Sequence, residues 1–253
     1  MTALLPPLHD YATSRRLLLS RCEGHGAVIE HHVHPLRGPD GGELATDVAR
    51  FGSAPGETDA VVVVASGTHG VEGHAGWGIQ TLVLDEGWHR SLPPRTALLF
   101  VAAINPYGMA WSRRVDADNI DVNRNFVDFD GPLPANHLYG ELDPVLNPTE
   151  LDPEDRSWEA EVWGFVERVG VAEGFRTLSG GQYRWPAGVQ FGGQGPSWSR
   201  RTLRRIWHDH LADAHTVVNL DVHSGLGPCG VLSLFQTADE GEEAADAART
   251  WFP

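Results

Sequence analysis

The chain has 253 residues, 41% of them hydrophobic, and its formal net charge is −15. This length and composition predict one well-buried α/β domain, residues 1–253, and do not require a second. The negative charge argues against a nucleic-acid partner, because neutralising phosphates requires a basic surface. All 19 basic residues are arginines, so the sequence excludes a Schiff-base lysine and the lysine of a phosphate-binding P-loop.

The sequence shows neither a membrane span nor an export signal. No run approaches the roughly 18 apolar residues of a transmembrane helix, and the first residues lack a basic segment followed by an apolar core. The two cysteines, Cys22 and Cys229, are far apart and suggest neither a disulfide framework nor a metal knuckle. We therefore expect a cytoplasmic protein without a membrane partner, and the sequence leaves its oligomeric state open.

The first fifth of the chain predicts a helix followed by a β-hairpin. Residues 11–22 form a short pattern with an apolar leucine face, which is typical of a helix. Residues 27–34 and 44–51 are strand-like, and the Gly, Pro and Asp between them favour a hairpin connection. The first strand carries EHHVH, in which only His32 and His34 share a face, so a metal site there is the weaker interpretation.

The stretch VVVVASGTHGVE, residues 61–72, organises the rest of the prediction. Four consecutive valines are typical of a strand that is buried on both faces. Gly67 and Gly70 allow the backbone to turn at the carboxyl end of this strand, where ligands bind in open α/β sheets. This turn carries His69 and Glu72, but about one such pair is expected by chance in a chain of this composition, so it needs support from elsewhere.

A helix and a second buried strand follow, at residues 73–84 and 96–103. This alternation favours parallel strands joined by a right-handed crossover. The second strand runs into a polar segment that contains Asn105, Arg113, Arg114, Asn123 and Arg124. The segment is either an anion clamp, because guanidinium groups bind carboxylates in a bidentate manner, or a solvated loop whose arginines pair with nearby aspartates.

The second half of the chain contains a glycine- and aromatic-rich segment, residues 179–201, which either walls a substrate pocket or is a plain connection. A predicted strand at residues 216–222 delivers His223 at its carboxyl end. The remaining predicted elements are a loop insertion at 131–153, a helix at 153–169, a helix capped by Ser197 or Ser199 and ending near 212, a buried strand at 216–222, one more strand at 231–235, and an acidic helix from Asp239.

Zinc-type ligands therefore follow two separate predicted strands: His69 with Glu72 after one, and His223 after the other. Two imidazoles and one carboxylate form a catalytic zinc set, because three protein ligands leave the fourth position for water. A single histidine at a strand end is more often an ordinary polar residue. Three ligands at corresponding strand ends, beside arginines and asparagines, predict a Zn²⁺ site.

The motifs HGVE at 69–72, RVDADNIDVNRNF at 114–126 and DVHSG at 221–225 resemble those of the zinc carboxypeptidase superfamily. The resemblance includes its succinylglutamate desuccinylase and aspartoacylase relatives, is closest to an uncharacterised bacterial branch, and covers most of the chain from the hairpin onward. It implies a mixed, largely parallel sheet flanked by helices, an α/β/α sandwich with an N-terminal β-hairpin. It also implies site roles: zinc ligands His69, Glu72 and His223, a carbonyl-polarising Arg114, and a substrate-carboxylate clamp of Asn123 and Arg124.

Two features depart from the family's pattern. Asp116 stands where the pattern often has Asn, a change beside the clamp that bears on substrate preference. The family's general-base Glu lies on a strand beyond the last residue of this sequence, and Glu240, Glu242 and Glu243 fall at the start of a solvated acidic helix. The resemblance therefore implies a catalytic domain that lacks its C-terminal strands.

The leading prediction is a zinc-dependent hydrolase of amide bonds, in peptides or acyl-amino acids, near a free carboxylate. Zinc-bound water is the expected nucleophile, Arg114 the expected oxyanion contact, and weak or absent activity the expected result of the missing base. The alternative is a noncatalytic zinc-containing module that holds a carboxylate ligand, and a metal-free structural domain is a third interpretation. A base within the chain would have to be sought first at Glu141, Glu150 or Asp128.

Overall fold

The computed structural model describes residues 10–150, 152, 154–225, 227–228, 231, 233–235 and 241–251. The chain divides into two compact units, residues 1–223 and 224–253. In chain order the elements of the first unit are α1 (Tyr11–Gly24), β1 (Val28–Arg37), β2 (Glu43–Gly52), β3 (Ala60–Ser66), α2 (Gly73–Asp85), β4 (Thr96–Ala102), α3 (Pro106–Ala110), α4 (Tyr139–Leu146), α5 (Ser157–Val169), α6 (Val171–Ser179), α7 (Trp198–Leu211) and β5 (Thr216–Val222). The second unit contains α8 (Gly241–Trp251).

Within the described residues, five strands form one sheet in the order β1-β2-β4-β3-β5. Strands β1 and β2 form an antiparallel hairpin, β2 is antiparallel to β4, and β3 is parallel to both β4 and β5. Four strands therefore run in one direction and β2 runs in the other. This topology confirms the predicted mixed, largely parallel sheet with an N-terminal β-hairpin.

Helices cover both faces of the sheet. Leu98 and Phe100 of β4 share one hydrophobic core with residues of α1 and α2, whereas Leu99 and Val101 share another with residues of α7. Neighbouring residues of β4 belong to different cores because successive side chains of a strand point to opposite faces. The three layers of helix, sheet and helix confirm the predicted α/β/α sandwich.

Helix α2 lies close to β3 because its facing residue is small. A Cβ atom at Gly76 would lie 2.4 Å from the Cβ atom of Ser66. Further along the same helix, the buried amide of Gln80 donates a hydrogen bond to the carbonyl oxygen of Val64 at 2.8 Å. These contacts fix α2 against the sheet and so fix the turn that precedes the helix.

The structure corrects the prediction for residues 131–153, which contain helix α4 rather than only a loop. Tyr139 and Leu142 are buried, and the ring of Tyr139 packs on Trp185 at a centroid distance of 5.3 Å. The sequence does not predict this helix because Gly140 and Pro144 both have low helix propensity.

The next two helices also differ from the prediction. The helix expected from residue 153, which lies outside the described residues, is α5 and begins at Ser157. Helix α6 was not predicted. Gly170 separates the two helices with a φ of +89°, a conformation that ends α5 and lets α6 begin in a new direction.

Strand β5 has the predicted bounds but is not buried. It pairs with β3 and with no other strand in the described part of the chain, so it is an edge strand, and Val217 is 41% exposed. The strand predicted at 231–235 is absent at residues 231 and 233–235, while residue 232 lies outside the described residues. Helix α8 confirms the predicted acidic helix from Gly241 onward, and residues 239–240 are not described.

Among the described residues, no helix is long and apolar enough to cross a membrane. The cellular compartment stays a prediction.

We expect Gly76→Ala to destabilise the protein by about 1–3 kcal/mol, because the added methyl group overpacks the contact between α2 and β3. Gly164→Ala is a matched control, since Gly164 is an exposed helical glycine of α5 with no atom within 4 Å of an added Cβ. That change should instead stabilise by about 0.5–1 kcal/mol. Chemical unfolding of both variants measures the difference, and equal effects would contradict the proposed packing.

Candidate metal site

The turn after β3 places His69 and Glu72 side by side. Gly67 adopts a left-handed conformation with a φ of +73°. Gly70 accommodates no side chain, because its Cβ atom would lie 2.0 Å from the carbonyl carbon of Gly108. The short 3-10 helix that starts at Gly70 then brings the two side chains together, with His69 Nδ1 lying 3.0 Å from Glu72 Oε1.

His223 reaches the same point from β5. Because β3 and β5 are parallel and Ser66 pairs with Val222, the residues that follow the two strands meet at one edge of the sheet. His223 Nδ1 lies 3.1 Å from Glu72 Oε2, and its ring centroid lies 4.9 Å from that of His69. The ligand atoms of the three side chains lie within 4.8 Å of one another, and no other group of this kind occurs in the described part of the chain.

Each imidazole also contacts a carboxylate through its second ring nitrogen. His69 Nε2 lies 3.2 Å from Asp121 Oδ1, and His223 Nε2 lies 2.9 Å from Asp221 Oδ2. Such carboxylates fix the ring orientation and the tautomer of a metal-binding histidine, and they leave Nδ1 to face the ion. Neither aspartate has a role that the sequence predicted, although each stands two residues before a predicted site residue.

The pKa values reflect this concentration of carboxylates. Burial lowers the pKa of His69, but hydrogen bonds with Asp121 and Glu72 outweigh burial, and the pKa is raised. Hydrogen bonds with Asp221 and Glu72 raise the pKa of His223 to about 10. Three carboxylates around two imidazoles favour positive charge at this point, and the donor set of two imidazoles and one carboxylate fits zinc.

Arg114 lies at the rim of this cluster. Its Nε atom donates to Asp121 Oδ2 at 3.1 Å, and its Nη1 atom lies 3.6 Å from Glu72 Oε1. The side chain is 40% exposed, so a buried carboxylate orients the guanidinium while solvent and ligands can still reach it. This position suits a residue that polarises a substrate carbonyl, and the role stays a prediction.

Asn123 and Arg124 lie in a short 3-10 helix that Asp121 caps by accepting a hydrogen bond from the backbone N–H of Asn123 at 3.0 Å. The Asn123 side chain is exposed. Arg124 is half-buried, and its Nε and Nη2 atoms donate to the carbonyl oxygen of Ser179 at 3.0 and 2.7 Å. The backbone of α6 therefore holds Arg124 in place, a contact that the sequence did not predict.

The glycine-rich segment, residues 179–201, packs against the chain that carries these residues. The backbone N–H of Asp121 donates to the carbonyl oxygen of Phe191 at 2.7 Å, and the Asn125 amide donates to that of Gly192 at 2.7 Å. The Tyr183 hydroxyl donates to the carbonyl oxygen of Arg124 at 2.7 Å. The segment is thus a support for the predicted clamp, and a role as a pocket wall stays a prediction.

Two further members of the polar segment have partners outside the clamp. Asn105 Oδ1 caps α3 by accepting from the backbone N–H of Gly108 at 2.8 Å. Arg113 Nη2 donates to Asn119 Oδ1 at 3.4 Å. The arginine and asparagine content of this segment therefore serves two purposes, turn formation and the candidate site.

The histidines of β1 have other partners. His31 Nδ1 lies 2.6 Å from Asp47 Oδ1, and His34 Nδ1 accepts from the backbone N–H of Leu36 at 3.1 Å. Neither belongs to a convergent metal-ligand group within the described residues, and the same holds for His32.

The carboxylates considered as an internal base are not hydrogen bonded to His69 or His223 within the described structure. Glu141 forms an exposed ion pair with Arg168, and Asp128 accepts from the backbone N–H of Asp130 at 3.0 Å. Glu150 is exposed.

A family model described as a protein of unknown function (DUF2817) matches residues 8–253. The chain belongs to the DUF2817 family. No curated protein matches it.

Solved structures similar to this DUF2817 chain include carboxypeptidases. Carboxypeptidase A from Helicoverpa armigera is 15% identical over 86% of this chain and 46% of its own, with a TM-score of 0.49. Bovine thrombin-activatable fibrinolysis inhibitor, solved with tick carboxypeptidase inhibitor, is 12% identical over 86% of this chain and 60% of its own, with a TM-score of 0.48. The DUF2817 chain spans about half the length of these two proteins.

A succinylglutamatedesuccinylase/aspartoacylase from Rhodobacter sphaeroides is also similar, at 23% identity over 42% of this chain and 32% of its own, with a TM-score of 0.25. The chemistry of the DUF2817 site depends on its own side chains.

Asp116 of the DUF2817 chain is buried and closes a turn in the polar segment that follows β4. Its Oδ1 atom accepts hydrogen bonds from the backbone N–H groups of Asp118 and Ile120 at 2.9 and 2.8 Å. Burial raises the pKa of Asp116 to about 6 despite these bonds. An asparagine could accept the same two bonds without a charge.

We therefore expect Asp116→Asn to stabilise the protein near neutral pH. Because the pKa is raised in the folded state, the stability that Asp116 contributes is fully present below about pH 4 and is lost as the pH rises through about 6. The difference between the ordinary pKa of an aspartate and the raised pKa of Asp116 corresponds to at most about 3 kcal/mol of stability at pH 7. Urea unfolding of both proteins between pH 4 and 8 measures the gain, and a gain independent of pH would contradict the assignment.

Proposed function

We propose that this chain binds zinc through His69, Glu72 and His223 and hydrolyses amide bonds of peptides or acyl-amino acids near a free carboxylate. One observation carries the proposal. The Nδ1 atoms of two imidazoles, delivered by two parallel strands, face one carboxylate at 3.0 and 3.1 Å, while each Nε2 atom faces a second carboxylate. This is the ligand set and support expected of a catalytic zinc site.

Zinc bound here would act as a Lewis acid and lower the pKa of a coordinated water to roughly 7. Asp121 and Asp221 hold the two histidine rings with their Nδ1 atoms toward Glu72, where the ion would be bound. Arg114, oriented by Asp121, donates to the substrate carbonyl oxygen as negative charge develops on it. Asn123 binds the substrate carboxylate through its side-chain amide, and Arg124 binds it through its guanidinium group. The carbonyl oxygen of Ser179 holds that guanidinium group in place before the substrate binds.

The alternative function is a noncatalytic zinc-containing module that holds a carboxylate ligand. The observation in its favour is that Glu141, Asp128 and Glu150 lie outside the contacts of the two histidines, so no carboxylate within the described residues is identified as the general base. General acid-base help contributes roughly 10²- to 10⁴-fold to such reactions. Zinc-dependent turnover of acyl-amino acids or short peptides separates the two functions.

We expect the purified protein to contain about one zinc per chain, and His69→Ala to remove it, since loss of one of three protein ligands leaves the ion poorly held. His74→Ala is the matched control. His74 lies five residues further along the chain, packs edge-on against Trp77, and should not affect zinc content. Elemental analysis after growth in zinc-replete medium measures both, and a metal-free native protein would contradict the site.

The two arginines should differ in kinetics. Arg124→Ala should raise KM for carboxylate-bearing substrates with little change in kcat, because a ground-state ion pair is uniform binding. Arg114→Ala should lower kcat by about 10²- to 10³-fold, because its contact strengthens only in the transition state.

Arg113→Ala is the control for both arginine variants, since Arg113 pairs with Asn119 rather than with the candidate site. Steady-state kinetics on an acyl-amino acid series measures all three. Identical behaviour of the Arg114 and Arg124 variants would show that their roles are wrongly assigned.

A further inference from the structure

The two carboxylates behind the histidines are held very differently. Asp121 is fully buried and receives Arg114 Nε at 3.1 Å and the backbone N–H of Asn123 at 3.0 Å, in addition to its contact with His69. Several independent donors therefore fix the carboxylate that orients His69. Moving the Asp121 carboxylate away from His69 would require breaking more than one of these hydrogen bonds.

Asp221 has fewer hydrogen-bond partners, and one of its oxygen atoms has none among the described residues. Its Oδ2 atom accepts hydrogen bonds from Thr68 Oγ1 at 2.8 Å and lies 2.9 Å from His223 Nε2. Its Oδ1 atom is inaccessible and has no hydrogen-bond partner within the described residues. Apart from the histidine that it orients, Thr68 is the one side chain of the described structure that is hydrogen bonded to this carboxylate.

The hydrogen bond from Thr68 to Asp221 matters because His223 is the more exposed of the two histidines. Its side chain is 34% exposed, against 5% for His69, and it follows an edge strand. A buried neighbourhood holds the ring of His69 in place, whereas the ring of His223 depends on its hydrogen bonds. Thr68 itself is 4% exposed and immediately precedes His69, so its hydroxyl group links the ends of the two strands that carry the ligands.

We propose that Thr68 is a positioning residue of the zinc site, acting through Asp221 to hold His223 with its Nδ1 atom toward Glu72. The inference rests on the proposed zinc site and adds a residue outside the metal-binding motif. Loss of the Thr68 hydroxyl leaves the Asp221 carboxylate free to turn away from His223 Nε2. The ring of His223 then loses the contact that fixes its direction.

The test is zinc affinity, measured by competition with a chromogenic chelator. Thr68→Val should weaken zinc binding by about 10- to 100-fold, the usual effect of removing a support behind a metal ligand. Thr68→Ser keeps the hydroxyl group and should restore affinity to within a few-fold of the native protein. The visible spectrum of the Co²⁺-substituted Thr68→Val protein should also change, because the geometry around the ion is altered.

Thr46→Val is the matched control for loss of a buried hydroxyl. Thr46 is 1% exposed and donates to the carbonyl oxygen of Ala103 at 2.8 Å, a bond of equal length with no carboxylate or ligand attached. This variant should lose stability but bind zinc as the native protein does. Unfolding of each variant in the presence of a chelator separates stability from affinity.

A double-mutant cycle with Asp221→Asn tests whether Thr68 acts through Asp221. If Thr68 acts through Asp221, Thr68→Val should weaken zinc binding little in the Asp221→Asn background. Native affinity in Thr68→Val, or full additivity with Asp221→Asn, would overturn the inference while leaving the zinc site intact. A native protein that binds no zinc would overturn the proposed function itself. If Thr68→Val does not fold, the zinc affinities of Thr68→Ser and Asp221→Asn decide the question. An Asp221→Asn protein that binds zinc with native affinity would refute the inference.

Discussion

One carboxylate shared by two imidazoles is the interaction on which the site depends. Glu72 faces His69 and His223 at 3.0 and 3.1 Å, although the two histidines are 154 positions apart in the chain. They meet only because β3 and β5 are neighbouring parallel strands in register. The sheet topology is therefore the first requirement of the chemistry, and the close packing of α2 and Gly70 behind the turn is the second.

The electrostatics of the site follow from burial of these groups. Asp121 and Glu72 lie almost entirely out of water, where unpaired negative charge is costly. Arg114 and the histidines offset this negative charge in part. The raised pKa of His223 shows that the surrounding carboxylates favour a positive charge on its ring. A divalent cation would take over this neutralising role with the imidazoles in their neutral form, so metal binding and folding should be coupled.

Sequence patterns predicted the parts of the molecule that depend on local composition. The valine run of β3 is typical of a buried strand, and Val61, Val63 and Val64 are buried. The glycine-containing turn after it marks the end of the strand. The positions of His69, Glu72 and His223 at the ends of predicted strands, together with the motifs around them, predicted one site, and the structure brings the three side chains together. Helix α4 was missed because Gly140 and Pro144 lower the helix propensity of this segment, whereas the tertiary contacts of Tyr139 that stabilise the helix are not visible in the sequence.

Contacts made at long range were beyond sequence reasoning. The exposure of β5 depends on which strands flank it, and the 216–222 sequence reads as a buried strand. The engagement of Arg124 by the Ser179 carbonyl depends on where α6 ends in space. Likewise, Thr68 contacts Asp221 only because the strand ends adjoin.

The most direct test of the account is an anomalous difference map from crystals grown with zinc and recorded at the zinc absorption edge. The account predicts a strong peak bonded to Nδ1 of His69, Nδ1 of His223 and the Glu72 carboxylate, at about 2.0–2.2 Å from each. An empty position among these three side chains in zinc-soaked crystals, or a peak held by other residues instead, would contradict it.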